Sequence, residues 1–548
     1  MADNTSTTTN HIIQPEAGVD NTFTVADFFC GAGGFSEGFY QAGFNLKFCL
    51  DYWHPAIKTH LLNHPKCEAK CMDIRLLDTP EKIDEIIPDT DVIIGSPPCV
   101  SFSNSNKSGN ADKTLGIELI YAFLRIVSYK KHKKGSKLKY WIMENVPNSK
   151  KFVKEKYTWS ELGLPGNGPD LEIPIGHVLK ASEYLSPQDR KRFICGNYIL
   201  PKKQPCKLHI DHIMQIIGAP HENKKGPFTD PIYGHNVNEI NEHYYNSKIA
   251  EYEWIKAKRL KTDHGYMGKM SFPDTTNRFC RTIMATQSCS TREAIIFPKE
   301  NEKGSYRSAT IRELSSCMGF PLEYQWWGNN LSTKHRQIGN AVCPPLAMCL
   351  GRELMKALSK RERTNPIPRN IVKSPFTLEQ KPYVNKVGKP KKKNAKFHRH
   401  IPYQKIRSFR TELDNTSSDW TNENYSWNVI IHKGSGKNAK KLNLSKQEIE
   451  KMFKKNANFK TFKKKVKDEF SKTNVNNAKT FQYKYCKLDN SNHMSPEDVL
   501  EKIKVILDSY DLNNDVIEIN SLKVPHSILL SNWALHFVIG LLLSLIHI

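Results

Sequence analysis

The sequence predicts a mixed α/β protein with a mostly parallel central sheet, a smaller inserted domain and a basic C-terminal extension. Three observations carry this. Between residues 22 and 200, apolar runs of strand length (TVADFF, NLKFCL, DVIIG, KYWIM, RFICGNYI) alternate with helix-like segments such as 36–42, 80–87 and 116–128. That order builds parallel sheets with helical crossovers. From 197 to 305 the rhythm gives way to His, Asn, Lys and aromatic residues with frequent Gly and Pro breaks. Helical patterns return at 308–318 and 345–358, so the chain leaves the first layer and comes back to it.

Composition agrees. The 548 residues are 39% hydrophobic and 25% charged, which excludes fibrous, collagen-like and mucin-like chains and leaves room for several domains. Lys and Arg number 81 against 56 Asp and Glu, a formal charge of +25, and a polyanionic partner is expected. The excess is uneven, since residues 361–548 hold 35 Lys and Arg against 18 Asp and Glu and so carry +17 of it. The 13 Cys are scattered without a C-x-x-C pair, and the polar N-terminus shows no signal-peptide pattern. Free thiols in a reducing cytoplasm follow. Cys67 and Cys71, near His60 and His64, lack the usual two-residue zinc knuckle, so no metal is expected.

The first motif is Thr24-Val-Ala-Asp27-Phe-Phe29-Cys-Gly31-Ala-Gly33-Gly34-Phe35, a short strand running into a glycine turn that opens a helix. Glycines let a ligand approach the backbone closely. Ser36 stands where a nicotinamide fingerprint needs its third small residue, so the loop alone indicates only a nucleotide-like cofactor. Asp51 ends the next strand and is placed for ribose hydroxyls, with Tyr52 as an apolar wall; Asp73 is placed for the adenine. Each acid is also readable as a solvated strand end.

The second motif is Asp91-Val-Ile-Ile-Gly95-Ser96-Pro97-Pro98-Cys99-Val100-Ser101-Phe102-Ser103. A strand ends in a rigid Pro-Pro corner that presents a thiol. Where an amino-group methyltransferase places an aromatic ring to stack on the base, this chain has Cys99. Carbon 5 of cytosine is too weak a nucleophile to be methylated directly, and a thiolate added at carbon 6 pushes electrons onto it.

On these residues the chain resembles a DNA cytosine-5 methyltransferase of the bacterial modification type. Further blocks occur in the family's order: Glu144-Asn145-Val146, Gln188-Asp-Arg190-Lys-Arg192, Arg312-Glu313 through Gly319-Phe320-Pro321, and Gln337-Ile-Gly339-Asn340 through Cys343-Pro344-Pro345-Leu346-Ala347. The likeness covers residues 22–358. It implies a Rossmann-like S-adenosylmethionine-dependent methyltransferase domain with an inserted target-recognition domain. It further implies that Cys99 is the nucleophile, that Glu144 contacts N3 and the 4-amino group of an extruded cytosine, and that Arg190 and Arg192 line the base pocket. Phe29, Gly31, Gly33, Gly34, Asp51, Tyr52, Asp73, Pro98 and Asn340 form the expected cofactor set. Ser103, Gln188 and Thr282 form the expected substrate set, Thr282 lying in the segment Arg281–Thr286 near the flipped nucleotide. Two departures stand out: Val100 replaces a common Gln, and Cys343 replaces the first Pro of the last block.

The expected organisation is a disordered lead-in at 1–21, catalytic parts at 22–196 and 306–360, and a target-recognition domain at 197–305. A basic linker at 361–401, a small unit of unknown function at 402–523 and an apolar tail at 524–548 follow. The tail carries no Asp, Glu, Lys or Arg, and reads as a foreign sequence end, a buried helix or a membrane anchor. The expected partner is double-stranded DNA, bound by a monomer without a membrane. Methylation of tRNA is disfavoured because the Cys-Phe-Thr tripeptide of that branch is missing. A silent DNA-binding scaffold is disfavoured by the intact Cys99, Glu144 and Arg192.

Overall fold

A computed structural model describes residues 23–98, 113–220, 224–243, 248–262, 270–286, 288–299, 302–360, 367, 372–376, 391–402, 404, 406–434, 439–471, 477–510 and 515–544. The chain divides into two units. One comprises Met1–Ser247, Thr276–Gln287 and Ala309–Pro382, and the other Lys248–Thr275, Ser288–Ser308 and Tyr383–Ile548.

The first unit is built on strands β1 (Thr24–Phe28), β2 (Asn45–Asp51), β3 (Glu68–Cys71), β4 (Val92–Gly95), β5 (Tyr140–Asn145), β6 (Ile175–Lys180) and β7 (Lys191–Asn197), in the order β3-β2-β1-β4-β5-β7-β6. The first five are parallel, while β7 runs antiparallel to β5 and β6. The expected mostly parallel α/β layer is present. Strand order reverses between β1 and β4, and open α/β sheets hold ligands beyond the carboxyl ends of the strands at such a switch point. Val25, Ala26, Phe28, Ile93, Ile94, Ile142 and Met143 are all buried. Strands covered on both faces read as continuous apolar runs, which is why they were visible in the sequence.

Helices α1 (Gly34–Gln41), α2 (His54–Asn63), α3 (Pro80–Ile86) and α4 (Thr114–His132) connect these strands. Thr79 caps α3 through the Lys82 N–H, with Pro80 at the first position, where its missing N–H costs nothing. Gly95 at the end of β4 sits against Phe123 of α4, whose ring would lie 2.4 Å from an added Cβ. Gly38 of α1 is as close to the helix Pro344–Ser359, where a Cβ would lie 2.4 Å from that of Ala347. This backbone contact seats the returning segment beside the glycine loop.

The second unit holds a four-stranded antiparallel sheet of His398–His400, Phe409–Asp414, Asn428–Lys433 and Lys440–Leu442. Helices Lys446–Met452, Ala457–Ser471, Ala478–Cys486, Pro496–Asp508 and His526–Ser544 accompany it. Phe397, Trp427, Ile431, Phe462, Ile503 and Trp533 belong to one core. Ile249, Ala257, Ala294 and Ile296 form a smaller cluster with Trp254, Phe272 and Tyr306. The apolar C-terminal segment is the helix His526–Ser544, with Ile528, Leu529, Trp533, Ala534, Leu535 and Val538 fully buried. A helix enclosed on all sides has no polar face and shows no 3.6-residue period. Among the described residues, no helix is long and apolar enough to cross a membrane.

Candidate active site

The glycine loop begins where β1 ends. Phe29 adopts φ +54, followed by Gly31 at +55 and Gly33 at +94, a left-handed path that a bulky residue rarely takes. Asp51 closes the turn: the Gly31 N–H donates to its Oδ2 at 2.9 Å and the Trp53 N–H to its Oδ1 at 2.7 Å. Burial raises the Asp51 pKa against these hydrogen bonds. The neighbouring Tyr52 ring is 77% exposed.

Two glycines are fixed by close approach. A Cβ on Gly33 would lie 2.7 Å from Tyr324 Oη, and one on Gly34 would lie 2.3 Å from the Val342 carbonyl oxygen. The Tyr324 hydroxyl donates to the Ala32 carbonyl at 2.6 Å and so holds the loop from the returning segment. Asp73 caps the turn Ile74–Leu76 and meets the Arg75 guanidinium at 2.7–3.1 Å. That bonding holds its carboxyl below the usual range.

Beneath the loop lies a buried polar chain. Asp27 Oδ2 accepts the Ser36 hydroxyl at 2.6 Å and its N–H at 3.1 Å, Ser36 Oγ lies 2.9 Å from His60 Nε2, and His60 Nδ1 lies 3.5 Å from Cys49 Sγ. Burial pushes the Asp27 carboxyl up to about 8 and lowers the His60 pKa. With the Ser36 proton given to Asp27, a neutral imidazole donating from Nε2 and accepting the Cys49 thiol at Nδ1 satisfies every contact.

The Pro-Pro corner is tied on two sides. The Ser96 N–H and hydroxyl donate to the Phe28 and Phe29 carbonyls, each at 3.0 Å, and Asn145 Nδ2 donates to the Pro97 carbonyl at 3.1 Å. Pro97 is buried and Pro98 exposed. Cys99, Val100 and Ser103 lie outside the described residues.

Beside the corner, β5 and β7 bring together a buried ion pair. Glu144 and Arg192 are 6% and 9% exposed and meet at 2.9 Å between Arg192 Nε and Glu144 Oε1. Register explains it: Glu144 pairs with Ile194, so Arg192, two residues along, shares its face of the sheet. Burial raises the Glu144 pKa, opposed first by Arg192 and then by Arg190. The Arg190 guanidinium is occupied as a strut, donating to the Ile283 carbonyl at 3.1 Å and the Gly339 carbonyl at 3.0 Å. Gln188 is buried, with its Oε1 3.9 Å from Cys343 Sγ. Gln188–Asp189 pairs with Cys280–Arg281, and the Thr282 hydroxyl donates to the Asp189 carbonyl at 3.3 Å. Asn340 is exposed at the end of the helix Leu331–Asn340. A Cβ on the preceding Gly339 would lie 2.5 Å from the Met284 and Ala285 backbone.

The structure therefore gathers Glu144, Arg190, Arg192, Gln188 and Thr282 in one region. Gly31, Gly33, Gly34, Asp51 and Tyr52 form a second, and Ser96 and Asn145 join both to the Pro-Pro corner. Tyr324, Asn145 and the Asp27–Ser36–His60 chain were missed from the sequence; only Asp27, a carboxylate inside an apolar strand, offered a signal.

Cys30, Cys49 and His60 place their ligand atoms within 4.8 Å of one another, as do His209, Asp211 and His212. A soft cation could reach the first group, but both His60 nitrogens already face Ser36 and Cys49. Cys71 is exposed and points its thiol at the Tyr52 carbonyl, 3.5 Å away.

Comparison with known proteins agrees with this geometry. The family model described as C-5 cytosine-specific DNA methylase matches residues 23–356. The type II methyltransferase M.XorII of Xanthomonas oryzae pv. oryzae is 27% identical over 395 residues, spanning 61% of this chain and 85% of that protein. The type II methyltransferase M.MthTI of Methanothermobacter thermautotrophicus is 28% identical over 347 residues, spanning 61% and 97%. The matched region takes in the glycine loop, the Pro-Pro corner and the buried Glu144–Arg192 pair, and the chain belongs to the C-5 cytosine-specific DNA methylases.

Proposed function

We propose that this chain transfers a methyl group from S-adenosylmethionine to carbon 5 of a cytosine within a specific duplex DNA sequence. It acts as a cytoplasmic monomer, either as the modification enzyme of a restriction-modification system or as an orphan methylase. The observation that carries the residue assignment is the buried 2.9 Å pair of Glu144 and Arg192, on the strand whose Asn145 holds the carbonyl two residues before Cys99.

The glycine loop suits the cofactor. Nothing lies within 4 Å of a Cβ built on Gly31, so ligand atoms have room at its backbone, and Tyr52 leaves an uncovered ring. Phe29, Gly31, Gly33, Gly34, Asp51, Tyr52, Asp73, Pro98 and Asn340 would hold it, since the Asp73 carboxylate keeps acceptor sites beyond those that Arg75 takes. When bound, it supplies the electrophilic sulfonium methyl.

The rest is done by the chain. Extruding the target base costs a few kcal/mol of stacking and pairing, offset by polar contacts in the pocket. The Cys99 thiolate adds to C6 of the ring. Glu144 holds the N3 and 4-amino edge, and its raised pKa suits it to keep a proton there. Arg192 stabilises the charge that collects at O2 in a site shielded from water. Arg190 is a positioning residue, tying the Ile283 and Gly339 backbones together behind it. Loss of the C5 proton then expels the Cys99 thiolate. Sequence choice is assigned to residues 197–305, where most charged side chains position phosphates and a few read base edges.

Transfer of labelled methyl groups to duplex DNA, followed by bisulfite sequencing, tests the reading. Transfer to one sequence context, abolished by Cys99→Ala, is expected. A pure wild-type protein that methylates no duplex, or an active Cys99→Ala variant, refutes it.

A further inference from the structure

The part of the chain beyond the family match carries a charge pattern that the methylase fold does not account for. In the second unit, helices Lys446–Met452 and Ala457–Ser471 enclose an open groove. Phe453 and Phe459 form its floor, their buried rings 5.0 Å apart. Lys451 and Lys454 stand on one side, and Lys460, Lys463, Lys464 and Lys467 come from the second helix. Those four recur at i, i+3, i+4 and i+7, one stripe of a helix, while Phe459, Phe462, Val466 and Phe470 take the buried face. The stripe is not a by-product of the core pattern.

What sets this groove apart is the gathering of six lysines around it. Some lysines of this unit have acids: Lys393 and Lys479 share Glu423 at 2.6 and 2.8 Å, Lys504 meets Asp508 at 2.6 Å, and Lys502 meets Glu469 at 3.4 Å. In the groove, Lys463 takes Glu450 at 2.9 Å. Among the described residues, Lys451, Lys454, Lys460, Lys464 and Lys467 are exposed and form no close ion pair, and Glu450 and Asp468 are the acids that line the groove with them. Six lysines against two acids leave the groove with a net positive charge, and a polyanion that binds there is favoured by releasing its own condensed counterions.

We propose that this groove is a second, sequence-independent DNA site, which binds the phosphate backbone of a duplex through Lys460, Lys464 and Lys467 with Lys451 and Lys454 opposite. From Lys460 to Lys467 the helix rises about 10 Å, close to three steps of about 3.4 Å measured along the axis of a duplex. The stripe thus meets two or three successive phosphates. The choice of DNA as the polyanion rests on the function proposed above.

The test replaces Lys460, Lys464 and Lys467 together by Gln in the full chain and measures the affinity for a non-cognate duplex against salt. Losing three contacts makes the log–log slope shallower by about 2.7, so between about 50 and 200 mM salt the wild type loses about 40-fold more affinity than the variant. A control carries Gln at Lys393, Lys479 and Lys502, and equal thermal midpoints establish that both variants fold. An unchanged slope in the triple variant overturns the proposal. So does an equal change in the control, which reduces the effect to net charge, or a change seen with single-stranded RNA and not with duplex DNA. Methyl transfer by the wild type is measured on the same preparation. Transfer with unchanged slopes removes the groove alone, and the predicted slopes without transfer remove the proposed reaction alone.

Discussion

Replacing Arg192 by Met leaves the Glu144 carboxylate buried with its nearest counter-charge gone. Glu144 is 6% exposed and its partner nitrogen lies 2.9 Å away, so the pair is desolvated, and removing one member of such a pair costs about 3–5 kcal/mol. The cost depends on pH. Burial already raises the Glu144 pKa, and Arg192 is the largest influence opposing it, so without Arg192 the folded-state value rises further. A carboxyl whose folded pKa lies above its unfolded value binds its proton more tightly when folded. Its stabilisation is complete below the unfolded pKa and is lost as pH rises through the folded one, by at most about 1.4 kcal/mol per pH unit. Urea unfolding midpoints at pH 5 and pH 8 are the assay. Arg192→Met should fall further below wild type at pH 8 than at pH 5, and adding Glu144→Gln should recover part of the loss by removing the unpaired charge. Equal losses at both pH values, with the two substitutions adding independently, would refute the claim that this buried pair is a coupled unit.

Tyr324→Phe removes the donor at 2.6 Å from the Ala32 carbonyl, a loss of about 1–3 kcal/mol when the acceptor is buried; calorimetry should show S-adenosylmethionine binding weakened by about five-fold or more, and unchanged binding would mean the loop is held without it. Gly34→Ala drives a Cβ to within 2.3 Å of a backbone carbonyl, whereas Gly31→Ala meets open space at φ +55. Thermal scans should therefore place Gly34→Ala, with about 1–3 kcal/mol of overpacking, below Gly31→Ala. Asp27, pushed up to about 8 by burial, keeps its proton when folded over a range where the unfolded chain has lost it, so it makes stability fall as pH rises from about 4 to 8. Asp27→Asn should flatten that fall, and an unchanged pH slope in urea unfolding would place the proton elsewhere.

Features that demand an unusual backbone were legible in the sequence. Glycines at 31, 33 and 34 and prolines at 97 and 98 stand where the chain turns sharply at the ends of β1 and β4, and the apolar runs are the strands buried on both faces. Distance along the chain hid the rest. Tyr324 acts on Ala32 from 292 positions away, Arg190 reaches Ile283 and Gly339, and a single sequence shows neither contact. Asp51 was legible as a carboxylate at a strand end, yet in this structure it bonds the Gly31 N–H. Asp73 was expected at the adenine, and its bonds to Arg75, two residues later, were not visible in the sequence. For residues 524–548 a buried helix stood beside a foreign end and a membrane anchor, because uniform burial erases the periodicity by which helices are recognised. Sequence composition showed that the C-terminal segment is basic, but only the folded unit shows which lysines face the groove.

The reaction depends on a transient bond between sulfur and the pyrimidine ring. Duplex DNA carrying 5-fluorocytosine at the target position, incubated with the protein and S-adenosylmethionine, blocks the proton loss that would release the enzyme. One protein should become covalently joined to each target site, and peptide mapping should place the link at Cys99. Steady methylation of the ordinary duplex with no trapped complex on the fluorinated one, or a link at any other residue, would contradict the account.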